Sequence, residues 1–503
     1  MKKGKCLFTS FLIIVFLLFS PPRAWAGLNP EIQEIVKLNR SQFNVRWDAE
    51  EQKAKFAELL YPYDPYEDDS LALRIPDKLY DPRLVVYKKQ ALEDVDFLFS
   101  MLKYGYAGYQ YFGGDDTFLS AKKGIKKELE DRILPTISIL ELRDILYRHL
   151  NFINDGHFDI YYKRLKHRTS MYMNFDYAFL QDGEGYYLET HAGTEYLKRV
   201  NDRKPEEFLK ASLNDDGRII YRIGVLETEG QKGISAELTL VSNGEPRNLS
   251  LRLEEVVSHR IQEEEIYQHK TIEGIPVVTV RAFPYKGSTT PEGYNPQDYQ
   301  LIEEFFLDAH ELRGVDRLII DIRSHRGDDS YHPVSWIRNF TGTTFGQSAL
   351  ISASIATKTA QQLNQLRMVQ EGNAQPYHSV SFRPTASGWS EIWYHLPDRI
   401  ENETLVVVLM DFWTASAGEL FVYYLSQLDN VVFMGMNSAG VINFGSPVKV
   451  PLPNSKLPVL FGTHFSLPLD LTDREGIGFL PDFWVHPEYA LDLAIKFIGN
   501  YEK

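Results

Sequence analysis

The sequence of 503 residues has a single cysteine, no internal repeat and only one long apolar run. Each shortage excludes something. With 54 lysines and arginines against 69 aspartates and glutamates, the formal charge is −15, which gives a nucleic-acid or anionic-membrane partner no electrostatic support. There is no glycine loop of Walker or Rossmann spacing, and the His310-Glu311 start of a zinc-protease motif fails at Gly314. What the chain does have is apolar material. Hydrophobic residues make up 44% of it, too many for a disordered protein, on a length that supplies two or three cores.

The one long apolar run lies at the N-terminus. Lys2, Lys3 and Lys5 precede it, it extends from Cys6 to Ser20, and Pro21-Pro22-Arg23 and Ala24-Trp25-Ala26 follow. These are the basic, apolar and small-x-small parts of a secretory signal, with cleavage expected after Ala26. A secreted or cell-envelope location follows. The run is shorter than the roughly 20 residues that span a bilayer, so no stable membrane span is expected once the signal is cut. Removing residues 1–26 takes away four basic and no acidic residues, leaving 50 positive against 69 negative side chains, a net charge of −19. It also removes Cys6. Disulfides, thiol catalysis and Cys-ligated zinc are then not expected in the mature chain.

Patterning divides the remainder into three. Residues 27–168 read as a helical N-terminal region: Leu92, Val95, Phe99 and Leu102 fall at helical spacing before Gly105, as do Leu142, Ile145, Leu146 and Leu150 before Gly156. Residues 169–258 read as a small β-rich module, with Asn243-Gly244 between two alternating runs as a hairpin signal. Residues 259–503 alternate strand and helix. Val277 to Val280, Leu318 to Ile322, Leu405 to Met410 and Val431 to Met434 are apolar strands, and helices at Leu301 to Leu312 and Ala417 to Leu428 connect them in βαβ units. The fold class expected is an α/β core carrying a helical region and a β module.

Two loops stand at the carboxyl ends of these strands, where open α/β sheets place their sites. One is Arg323-Ser324-His325-Arg326-Gly327-Asp328-Asp329. The other is Asp411-Phe412-Trp413-Thr414-Ala415-Ser416-Ala417-Gly418-Glu419, a tight turn from strand into helix. Ser416 at the helix start faces free N–H groups and the positive end of the dipole, and its small neighbours leave room for a substrate. Read locally, it is either a nucleophile on an elbow or an ordinary N-cap serine. Thr414 breaks the strict G-x-S-x-G pattern, which argues against the common lipase and esterase type.

The string Leu318 to Gly327, the string Thr414 to Glu419, and Glu475-Gly476-Ile477-Gly478-Phe479-Leu480-Pro481-Asp482 resemble, in order and spacing, the tail-specific (C-terminal-processing) serine protease family. Asn154-Asp155-Gly156-His157 resembles an element of the branch similar to tricorn protease. The resemblance implies a ClpP/crotonase-like layering of the core and a PDZ-like character, in degenerate form, for the β module. It implies a serine endopeptidase that needs no cofactor or metal and acts on a peptide or protein. Ser416 would be the nucleophile, and the N–H groups of Gly327 and Ala417 would bind the oxyanion.

In the best-known branch the base is a lysine in Thr-x-Gly-Lys. Here the matching stretch is Ser438-Ala439-Gly440-Val441, so that position holds Val441, and Lys449 lies in an alternating strand where a lysine points to solvent. The tricorn-like branch implies His157 as base and Glu475 as its support, although Gly156 stands where that branch has a serine. His325 is a second candidate base. A reading of another class is a catalytically inactive relative that binds peptides or apolar ligands. A glycosidase or esterase using Asp411 or Asp321 is third.

Overall fold

Alternate side chains of the apolar string Leu405–Met410 serve two different cores. The strand lies inside a six-stranded sheet in the order Tyr267–Ile272, Ile275–Val280, Arg317–Asp321, Leu405–Met410, Val431–Gly435 and Phe483–Trp484, parallel throughout except for the first hairpin. Val406, Val408 and Met410 pack with Phe305, Trp336 and Phe421 of the helices Pro296–Glu311, Tyr331–Thr341 and Ala417–Leu425. Leu405, Val407 and Leu409 face the other way, toward Leu209, Leu213 and Ile219 of the β module and Phe497 and Ile498 of the helix Ala490–Tyr501. A strand covered on both faces must be apolar at every position, which is why the string shows no alternation. The expected α/β class is borne out.

This computed structural model describes residues 30–40, 47–64, 82–164, 168–191, 193–262, 265–284, 296–343, 350–370, 383–395 and 399–501. The signal sequence read at 1–26 lies outside them. Among the described residues no helix is long and apolar enough to cross a membrane.

A second sheet is built on the long strand Pro458–Pro468, which pairs with Leu350–Ser354, Phe444–Pro451 and the short strand Asp159–Ile160. The helices Lys88–Gly105, Gly114–Glu130 and Ile139–His149 pack Leu98, Phe118 and Leu146 with Val448, Val450, Val459 and Phe461 of this sheet. The end of the helical region is therefore a strand of the core, and it delivers His157. Parts of the stretch from about 345 to 395, whose sequence pattern is opaque, are also built in. Leu350–Ser354 is a strand, and the helix Lys358–Gln370 buries Leu363 against Gly105, where a Cβ would stand 2.4 Å from Leu363 Cδ1.

The β module comprises a five-stranded and a four-stranded antiparallel sheet. Ser242 pairs with Glu245, so Asn243 and Gly244 form a two-residue turn with φ of 51° and 85°. Both angles are positive, as the type I′ hairpin requires.

Leu409 is fully buried in the central strand. Its replacement by Ala is expected to cost about 2–5 kcal/mol in urea unfolding, whereas Leu480→Ala, at a side chain 40% exposed, should stay within about 0.5 kcal/mol.

Candidate active site

The turn after Leu405–Met410 is shaped by hydrogen bonds from buried side chains. Asp411 accepts from the Trp413 N–H at 2.9 Å and, across to the neighbouring loop, from the Ser324 N–H at 2.8 Å. Thr414 donates its hydroxyl to Ile322 O at 2.8 Å and accepts from the Asp411 N–H at 3.1 Å. Thr414 thus clamps the two strand-end loops together, which explains a threonine where a lipase-type elbow carries glycine.

Ser416 follows with φ 53° and ψ −117° and is the N-cap of Ala417–Leu425. A left-handed φ at a serine costs of order 1–3 kcal/mol and persists only when its surroundings hold it. Gly327, itself at φ 101°, provides the contact. A Cβ there would stand 2.7 Å from Ser416 Cβ, 3.0 Å from Ala415 O and 3.4 Å from Ala417 N. Only glycine fits, because both the angle and the space exclude a side chain. Ser416, Ala417 and Gly327 therefore converge, and Ser416 is half-buried at the head of a helix whose first N–H groups point at it.

Glu419 holds this turn to the next loop. It is completely buried, and its carboxylate accepts from the N–H groups of Ser416 at 3.1 Å, Gly440 at 2.7 Å and Val441 at 2.8 Å, and from the Ser438 hydroxyl at 2.7 Å. The sequence reading gave it no role. Its signal was the Ser-x-x-Glu spacing of a capping box, Ser416 to Glu419.

Glu475 has the same kind of role on the histidine side. It is buried, and it accepts from the Gly156 N–H at 2.8 Å and from the Ile442 and Asn443 N–H groups at 3.2 and 2.9 Å. Asp155, also buried, takes the His157 N–H at 2.7 Å and the Tyr106 hydroxyl at 2.9 Å. Val441 completes the junction, since a Cβ on Gly156 would stand 2.5 Å from Val441 Cγ2. His157 is half-buried on this turn. The Ser416 N–H donates to Glu419 and its carbonyl accepts from the Leu420 N–H at 3.0 Å, while the His157 N–H donates to Asp155.

His325 is fully buried between Phe283, with ring centroids 4.3 Å apart, and Gly418. Its Nδ1 accepts the Gly327 N–H at 3.0 Å. Burial, then the positive charges of Arg281 and Arg326, push its pKa down to about 3. Asp321 is also buried. Burial alone would raise its pKa, but Arg281 and Arg323 hold it well below the usual carboxylate range. Burial raises that of Asp411. Lys449 lies between fully buried Val448 and Val450 on Phe444–Pro451, facing outward as its alternation predicts.

The strand-to-helix elbow with its strained serine thus lies against the Gly327 loop, and the His157 turn is bound through Glu475 to the adjoining loop. Residues 277–483 match the model of Peptidase family S41, which bears out the likeness to tail-specific proteases and the expectation of a serine-type peptidase. Among solved structures, mature CPAF is 15% identical, with 82% of this chain and 97% of that chain covered and a TM-score of 0.43. The photosystem II D1 C-terminal processing protease is 14% identical over 79% of this chain and 93% of that one, TM-score 0.35. Tricorn protease is 12% identical over 81% and 36%, TM-score 0.34. No curated protein shows a significant match to the chain.

Two outcomes are expected. Gly156→Ala should destabilise by about 1–3 kcal/mol through overlap with Val441. The double variant with Val441→Ala should regain most of that loss, read as a coupling energy in a double-mutant cycle. In the folded protein His325 takes a proton only near pH 3, whereas the unfolded chain binds it below about pH 6.5. The unfolded state therefore binds more protons in between, and stability falls as pH drops from about 6.5, by up to about 1.4 kcal/mol per pH unit from this group. Unfolding midpoints from pH 7 to pH 5 should show a shallower slope for His325→Phe than for the unaltered chain.

Proposed function

We propose that this protein is a secreted or cell-envelope serine endopeptidase that hydrolyses peptide bonds through an acyl-enzyme, with a Ser416, His157, Glu475 arrangement. Ser416 Oγ attacks the scissile carbonyl carbon while His157 accepts its proton and returns it to the leaving amine. Water, deprotonated by the same imidazole, then releases the acyl group. Glu475 acts through the Gly156 peptide to set the histidine turn. The N–H groups of Ala417 and Gly327 receive the oxyanion.

The observation that carries this reading is the double tether. Glu419 fastens the Ser416 turn to Gly440 and Val441, and Glu475 fastens the His157 turn to Ile442 and Asn443, so both halves hang on one four-residue stretch. The layers around the six-stranded sheet support the ClpP/crotonase-like description. The hairpin and antiparallel sheets of 169–258 support a PDZ-like module that shapes substrate access. A second reading, a relative that binds peptide or apolar ligands without turnover, draws on the Gly327 N–H being turned to His325.

Labelling by a serine-reactive fluorophosphonate separates them. The unaltered chain should label and Ser416→Ala should not, while His157→Ala should label about two to four orders of magnitude more slowly. Wild-type labelling rates in either variant remove the corresponding assignment, and a wholly unreactive chain favours the binding reading.

A further inference from the structure

Gly327 presents the Cβ side of its α-carbon, not its N–H, to Ser416. The direction in which a Cβ would project meets Ser416 Cβ at 2.7 Å, while the N–H runs inward to His325 Nδ1 at 3.0 Å. One N–H cannot make a good linear hydrogen bond to an interior imidazole and to a substrate oxygen together. The imidazole is well held. It is fully buried, its ring lies against Phe283, and its Nδ1 stands 2.7 Å from where a Cβ of Gly418 would be, on the first turn of the serine helix. An Nδ1 that accepts from an N–H carries no proton, so in the neutral ring the proton is on Nε2, which has no hydrogen-bond partner among the described residues. A buried imidazole in this tautomer cannot act as base toward Ser416 through Nδ1 while that atom is occupied.

The loop around this bond is under strain. Ser324 and Asp328 have φ of 59° and 88°, and Gly327 between them is at 101°. Asp328 tolerates this poorly, whereas Gly327 can change the sign of φ at almost no steric cost. A turn of the Arg326–Gly327 peptide is therefore the least expensive movement of the loop. It exchanges the His325 acceptor for one on the Ser416 side.

We propose that His325 is a positioning residue that latches the oxyanion loop: its Nδ1 holds the Gly327 N–H in the resting protein, and the oxyanion formed when Ser416 attacks the substrate carbonyl takes that N–H over. The latch rests on the serine peptidase reading for its purpose, but not for its existence. Its chemistry needs an uncharged substrate carbonyl that becomes an oxyanion, the stronger acceptor, so that the N–H leaves a neutral imidazole only as negative charge develops.

The test uses the full chain with His325→Leu, which has no acceptor, and His325→Asn, whose side-chain oxygen can accept from the N–H two residues on. With a fluorophosphonate probe, His325→Leu should raise the maximal labelling rate by about threefold to tenfold, the effect of one neutral hydrogen bond removed from the resting state. The half-saturating probe concentration should not change, and His325→Asn should return the rate toward the unaltered value. Loss of labelling in both variants, or a fall that follows their thermal stability, overturns the latch. A measurement on the unaltered sequence does not depend on the variants folding: in histidine-labelled protein the His325 Nδ1 resonance should move when Ser416 is phosphonylated, and a stationary resonance overturns the proposal. If the unaltered chain takes no label at all, the peptidase reading fails separately. Hydrogen exchange at the Gly327 amide then still decides the latch, which requires faster exchange in His325→Leu than in the unaltered chain.

Discussion

Everything at this site depends on the burial of two carboxylates whose oxygens are satisfied by backbone N–H groups. Removing a carboxylate from water is costly unless its lone pairs are filled. Glu419 fills them with three N–H groups and a hydroxyl, and Glu475 with three N–H groups from two chain segments. Bonds from N–H to an ionised oxygen are stronger than neutral ones, and each carboxylate draws together loops that are distant in sequence, beside the backbone bonds Ala439 N–H to Thr414 O at 2.8 Å and Gly476 N–H to Gly440 O at 2.9 Å. Loss of either would leave several buried donors without acceptors, so these glutamates fix geometry more firmly than the apolar contacts around them.

The strained serine follows from the same arrangement. A φ of 53° at Ser416 is sustained because its N–H is held by Glu419, the preceding Thr414 is bonded to Ile322, and the Ala415 N–H is held by His325 O at 2.9 Å. Three elements therefore determine one backbone angle. The sheet beneath supplies the rigidity, since Leu405–Met410 and Arg317–Asp321 are neighbouring parallel strands and their loops leave from the same edge. Asp321, neutralised by Arg281 and Arg323, closes the floor of the first loop.

Periodicity made the core strands legible, because a strand buried on both faces is apolar throughout, and Asn243-Gly244 announced its hairpin because few residues accept two positive φ angles in succession. Ser416 was legible as a small-residue turn at a strand end. The strand Asp159–Ile160 was not, being two residues long and stabilised by a partner about 300 positions later. Nor was the part of His325: the spacing shows a histidine in a loop, but whether its ring faces solvent, serine or the interior depends on Phe283 and Gly418. Local chemistry is visible in a sequence. The direction of a side chain set by distant residues is not.

Two departures, glycine at 156 from the tricorn-like branch and valine at 441 from the branch with a lysine base, belong to one physical change. Val441 is buried, and its methyl groups occupy the space that a Cβ at 156 would need, so each residue makes sense only with the other. A lysine at 441 would have to bury its ammonium among Gly156, Glu419-bound peptides and the histidine turn, or push that turn away. With valine there, the turn closes down onto Glu475 through the Gly156 N–H. The absent lysine is thus a reason for the histidine turn to dock where it does, because the apolar contact that replaces it also holds Gly156 in place.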